Sequence, residues 1–227
     1  LGTTEWTLSN AIKVVIKPTD FKNDQIIMSM ESEGGLSKVA LEDLPSAGLA
    51  DGVISYNGIG EFSVLDLQKV LTGKNVSVSP DISEYSESMS GTSIVKDFET
   101  MMQLAYLYFT APRQDDQAYQ TLISMLETQL AARDKNPKNA FGDSIQQTIT
   151  CHNPRTLIVN TDLIKRANQQ RAIEIYKEKT ATCTENVDLL YSSISNTEIA
   201  EWLSDSSRKV GDATVIVNKT ETTDANG

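Results

Sequence analysis

The sequence holds a single histidine, His152, in the turn Cys151-His-Asn-Pro-Arg155, and that count bounds the chemistry open to it. A hydrolytic zinc site draws mostly on imidazoles, and a hydroxyl or thiol nucleophile usually needs one as its base. One imidazole in a proline-flanked turn leaves room for neither arrangement on its own; a pairing with Asp162 or a nearby serine is conceivable, but a turn histidine beside Asn-Pro is more often a surface or capping residue. Cys151 and Cys183 lack CxxC spacing; they read as incidental thiols or as one disulfide, and the sequence does not choose between these. Gly34-Gly35 and Gly58-Ile-Gly60 lack the following helix and lysine of a phosphate loop, so they read as turns. No carboxylate pair stands out, and Asp115-Asp116 reads as the acidic first turn of a helix. Asn75-Val-Ser77 and Asn218-Lys-Thr220 match glycosylation sequons, a weak signal. The chain is therefore expected to carry no catalytic residue, no metal ligand set and no cofactor of its own.

Composition narrows the partners. With 39% hydrophobic and 22% charged residues, the 227-residue chain has the make-up of a globular domain with ample length for a core. A net charge of −11 argues against a nucleic-acid face or docking on anionic lipid, because both need clustered Lys and Arg. Lys17, Lys22 and Lys38 are scattered and form no basic stripe. No apolar run approaches the roughly 20 residues that span a bilayer, and no signal segment opens the chain. It begins Leu1-Gly2-Thr3-Thr4, without Met, which reads as a piece of a longer polypeptide.

These features need elements to position them. Glu5–Leu8 and Ala11–Lys17 alternate across Ser9-Asn10 and predict a hairpin, with Ile12, Val14 and Ile16 on one face. Gln25–Glu31 gives a third strand. Residues Glu42–Tyr56 are helical in texture and stop at Asn57-Gly58; Ser63 and Asp66 resemble a capping box that opens a short helix through Leu65, Leu67, Val70 and Leu71. Asn75–Ile82 and Tyr85–Ser93 alternate serine with apolar residues, so one face of that hairpin should be polar. Phe98, Met101, Met102, Ala105 and Phe109 form a helical stripe, as do Tyr119, Leu122, Ile123, Leu126 and Leu130. Asn136-Pro137 breaks that second helix, and Ala140, Phe141, Ser144 and Ile145 carry another. Thr161–Lys179 reads as one helix, followed by a strand Val187–Ile194 and a helix Asn196 to about Trp202. A further short strand is expected at Thr214–Val217. The expectation is an α+β two-layer sandwich: a largely antiparallel sheet of about five or six strands with helices packed on one face. One domain spans 1–203, and 204–227 is a polar tail or linker, partly disordered.

Five phrases in this order resemble one homology domain of the pitrilysin/insulinase-type zinc peptidases. They are Trp6-Thr-Leu-Ser-Asn-Ala-Ile-Lys-Val-Val-Ile-Lys-Pro18, Gly60-Glu-Phe-Ser63, Leu104-Ala-Tyr-Leu-Tyr-Phe-Thr-Ala-Pro-Arg113, Asn153-Pro-Arg155 and Arg171-Ala-Ile-Glu-Ile-Tyr-Lys177. The resemblance covers about residues 4 to 180, and implies a metallopeptidase or processing-peptidase-like domain. In a catalytic domain of that family, a helix after the first strands carries H-x-x-E-H, two histidines for zinc and a glutamate to activate water. Here the matching helix reads Gly48-Leu-Ala-Asp51-Gly-Val-Ile54-Ser55-Tyr56. Asp51 and Ser55 fall in the ligand slots and Ile54 in that of the general base, while Glu127 stands on the helix of the later ligand with no metal to complete.

The resemblance therefore implies a catalytically inactive domain, most like the third of four in a bacterial two-half member. The accessory Arg and Tyr of that half come from the fourth domain, so none is carried onto this chain. It implies zinc only in another domain of the parent, and as partners the other homology domains of that chain and a peptide substrate. The alternative is a purely structural domain like the inert core subunits related to processing peptidases. A periplasmic or cell-envelope location follows by the same resemblance. The region after Lys179 departs from the family pattern, lacking its Leu-Pro.

Overall fold

Thr4–Thr7 (β1) and Lys13–Pro18 (β2) pair antiparallel, Thr4 opposite Ile16 and Thr7 opposite Lys13, as their alternation predicts. The computed structural model describes residues 2–7, 12–20, 24–180, 186–191 and 218–219. Ile26–Glu33 (β3) alternates strictly, Ile26, Met28, Met30 and Ser32 buried and the residues between them exposed. Such alternation places one face on a core and the other in water.

Gly35–Lys38 forms a single 3₁₀ turn. The helical stretch 42–56 is then two helices, Leu44–Ala47 (α1) and Ala50–Asn57 (α2), separated at Gly48 and Leu49. Glycine is a poor helix former, and Gly48 sits where a Cβ would come within 2.9 Å of Leu157 Cδ1. At the end of α2, Gly58 takes φ +83°, the conformation its sequence position anticipates. Val64–Val70 (α3) starts at Ser63, whose Oγ accepts from the Asp66 amide at 3.2 Å and donates to Asp66 Oδ2 at 2.7 Å.

Val76–Ile82 (β4) and Ser86–Ser93 (β5) form the expected hairpin. Its polar face is solvent-facing: Ser77, Ser79, Asp81, Ser90 and Thr92 are exposed. Phe98–Thr110 (α4) and Asp116–Arg133 (α5) are the two striped helices. The Asp115 carboxylate caps α5 by accepting from the Ala118 amide at 3.0 Å. Pro137–Ile149 (α6) is capped by Asn136.

The expected single helix 161–179 is also two, Thr161–Arg166 (α7) and Gln169–Thr180 (α8). Ala167 is extended, and Asn168 restarts the helix by accepting from the Arg171 amide at 2.9 Å. Asparagine is a strong N-cap residue, so this break carries a sequence signal that periodicity alone overlooks.

Asn186–Tyr191 (β6) runs parallel to β2 and antiparallel to β3, and Asn218–Lys219 (β7) pairs with β1. The sheet order is β4-β5-β3-β6-β2-β1-β7. The expected turn at Ser9-Asn10, the helix Asn196–Trp202 and the strand 214–217 lie outside the described residues. So do Cys183 and most of the 204–227 tail.

The architecture is an α+β two-layer sandwich, mostly antiparallel, with helices on one face. One core lies between sheet and α4, where Trp6, Val14, Ile16, Met28, Met30 and Met89 meet Phe98, Met101, Met102 and Ala105. A second gathers α2, α5, α7 and α8 around Val53, Ile54, Leu122, Leu163, Ile173 and Tyr176. Gly91 sits where the sheet closes on α4: a Cβ there would stand 2.8 Å from Met28 Cε and 3.1 Å from Met101 Sδ.

Candidate functional site

Helix α2 holds the three residues that the sequence places in the metal-site slots, and they point into three different environments. Asp51 is half-buried, and its own Oδ1 accepts the Gly52 amide at 2.7 Å. Burial pushes its carboxyl above the ordinary carboxylate range, against the Gly52 hydrogen bond and with help from the charge of Asp81. Ile54 is fully buried in the helical core beside Val53 and Tyr176. Ser55 is exposed, and so is Glu127 on α5. A metal site needs several charged or lone-pair ligands converging on one point. Here one position is committed to packing and another to solvent. Among the described residues no group of three or more His, Cys, Asp or Glu could hold a metal ion.

The end of α2 is tied by polar contacts that sequence reasoning did not single out. Buried Asn57 donates from Nδ2 to the Arg113 carbonyl at 3.1 Å. Gln169 Nε2, at the start of α8, donates to the Asp115 carbonyl at 2.9 Å and reaches Asn57 Oδ1 at 3.5 Å. Arg113 pairs with Asp115 at 3.0 Å. These contacts join α2, the α4–α5 connection and α8, and so brace the helix. Arg155 acts likewise: its Nη1 donates to the carbonyls of Val39 at 2.9 Å and Leu36 at 3.3 Å. Arg171 reaches Asp43 at 2.7 Å, Glu178 at 3.0 Å and Glu174 at 3.3 Å. The Asp43 hydrogen bond comes first among the causes that raise the Arg171 pKa, and the same bond lowers that of Asp43. The sequence signal for all three arginines was their place in the family-like segments, after Ala-Pro, after Asn-Pro, or at the head of a helix.

His152 and Cys151 close α6 and are both exposed. Their φ values are +54° and +52°. The His152 amide donates to the Gln147 carbonyl at 2.8 Å and the Cys151 amide to Thr148 at 3.1 Å. That pair of bonds is a Schellman helix end, a position usually held by glycine. The single imidazole is thus placed by helix termination. Asp162 lies on α7 and pairs with Arg166 at 3.6 Å. Glu87, which the sequence reading passed over, is a buried carboxylate on β5; it accepts from the Gly35 amide at 2.9 Å and Ser32 Oγ at 3.1 Å. The strand alternation that puts Met89 and Gly91 inward puts Glu87 inward too, and was the signal for it.

No protein-family model matches the sequence. An Arabidopsis thaliana protein described as zinc protease PQQL-like is 29% identical over 150 residues, which is 65% of this chain and 13% of that protein. The periplasmic protease PqqL of Escherichia coli has the same fold with TM-score 0.74 at 17% identity, over 89% of this chain and 22% of that one. A peptidase M16 inactive domain from Pseudomonas fluorescens matches with TM-score 0.69 at 11% identity, over 88% of this chain and 49% of that one.

The chain shares its fold with solved M16 peptidase structures. This chain spans about an eighth of the length of its Arabidopsis relative and less than a quarter of PqqL. Within this fold the braced helix α2, its Asp51 accepting the adjacent Gly52 amide, has no set of ligands for a metal among the described residues.

Proposed function

We propose that this chain is a catalytically inert homology domain of a longer pitrilysin-type zinc metalloendopeptidase, the third of four. It forms part of the wall that encloses a peptide, while zinc chemistry resides in another domain of the same polypeptide. The observation that carries this reading is helix α2: in a peptidase fold, the helix equated with the zinc helix presents Asp51, buried Ile54 and exposed Ser55. Sequence similarity to a zinc protease supports the parent's chemistry, and likeness to a periplasmic protease supports a periplasmic or envelope location.

In that parent, zinc held by another domain would supply activation of water for peptide hydrolysis. The residues of this chain would exclude solvent and hold the peptide. Two measurements test the reading. The 227-residue chain should bind no stoichiometric zinc and cleave no peptide, while the full-length polypeptide does both. A photo-crosslinking peptide should attach to this domain within the full-length protein. Zinc bound at one equivalent by the chain alone would sink the assignment, and absence of cross-linking would leave a purely structural domain.

A further inference from the structure

Of the described helices of eight or more residues, α6 alone has no buried residue. Its apolar side chains are nevertheless ordered into a stripe. Phe141, Ile145 and Ile149 recur four residues apart, on one face of the helix. They are 68%, 43% and 69% exposed. An amphipathic helix with its apolar face in water is an element whose partner is elsewhere.

The surroundings of the stripe point the same way independently. From Asn139 to Pro154 the sequence contains one charged residue, Asp143, in a chain in which 22% of residues are charged. Arg133 on α5 pairs with that carboxylate and lowers its pKa through the hydrogen bond. Asn139 Nδ2 donates to the Arg133 carbonyl at 2.9 Å, so α6 is fastened at this end while its apolar face is left clear. An apolar centre with depleted charge is the composition of an interface core.

We propose that this face of α6 docks against an apolar, uncharged surface of another domain of the same polypeptide. The proposal rests on the reading of the chain as one domain of a longer peptidase. Size selects the occupant. The three side chains expose roughly 300–400 Å² of apolar surface, well below the ~800 Å² per partner of a stable stand-alone complex. A contact of that size suffices when a covalent tether supplies a high effective concentration. A neutral face also lets a domain of charge −11 approach another without like-charge repulsion at the contact.

Amide hydrogen exchange tests this, comparing the full-length polypeptide with the 227-residue chain. Residues 141–149 should exchange about tenfold or more slowly in the full-length protein. The double variant Phe141→Glu, Ile149→Glu should abolish that difference while shifting the melting temperature of the 227-residue chain by less than about 2 °C. Equal exchange in the two wild-type proteins overturns the proposal. So does concentration-dependent dimerisation of the 227-residue chain that the double variant removes, which would assign the face to a second copy. A full-length protein that protects α6 yet holds no zinc and cleaves no peptide leaves this docking standing and sinks the peptidase reading instead.

Discussion

Lys179 Nζ lies 3.3 Å from Glu87 Oε1, with the two side chains 12% and 2% exposed. The pair joins the last turn of α8 to the inward face of β5, next to the Gly35 amide and the Ser32 hydroxyl that share the carboxylate. Removing one partner of such a pair strands the other charge in a poorly solvated place. Glu87→Ala is expected to cost about 3 kcal/mol by urea denaturation, and the double change Glu87→Met, Lys179→Met to recover most of that loss. Equal losses in the single and double variants would show that the pair is not the source.

Asp51 provides a pH signature. Its folded-state pKa is raised, first by burial, so the folded state binds its proton more tightly than the unfolded chain does. The stability tied to that proton is full below the ordinary carboxylate range and is lost as pH rises through the raised value. Asp51→Asn should therefore melt higher than wild type at neutral pH, and the advantage should vanish in acid. A melting curve difference that stays constant from acid to neutral pH would contradict this.

The helix end at Cys151 and His152 places two non-glycine residues at positive φ in succession. Cys151→Gly should stabilise the chain by about 0.5–1 kcal/mol, because glycine takes this conformation without the Cβ clash. On the proposed reading, His152→Ala should leave zinc content and peptide cleavage of the full-length protein unchanged. A loss of cleavage in that variant would give the imidazole a duty that helix termination does not explain.

Gly58 and Gly91 are sensitive for different reasons. At Gly58 the φ of +83° and the nearby Phe62 carbonyl oxygen leave no room for a Cβ, so Gly58→Ala should cost upwards of about 2 kcal/mol. At Gly91 the backbone is ordinary and the obstacle is the flexible ends of Met28 and Met101. Gly91→Ala should cost about 1 kcal/mol and Gly91→Val clearly more, read by the same denaturation experiment. Equal costs for Ala and Val would mean that the methionines do not close over this site.

Much of the fold was legible because burial in it is periodic. The two-residue period of Ile26–Glu33 and the helical stripe of Phe98–Ala105 each name their buried face without further information. Breaks inside continuous helical texture were harder. Gly48 and Asn168 each interrupt a run whose apolar spacing continues on both sides; Leu157 leaves no room for a Cβ at the first, and the Asn168 amide donates to Ser46 Oγ at the second. Phe141 and Ile145 matched a helical stripe as well as any core helix does, yet face water in this chain. Periodicity states which side of an element is apolar and is silent on whether anything covers it.

The sequence by itself determined the stock of possible ligands: one histidine in the chain, and Asp51, Ile54 and Ser55 in the slots that the family resemblance equates with a zinc helix. Residue identity alone decides this, because aspartate, isoleucine and serine cannot together supply the ligands and base of that motif. Only the tertiary structure decided where the remaining charged residues stand. Glu87 and Lys179, ninety-two positions apart in number, meet in a buried pair, and Arg155 and Arg171 close loops far from their own in sequence. Such pairings depend on how strands and helices are laid against one another, and no local pattern of residues encodes that distance.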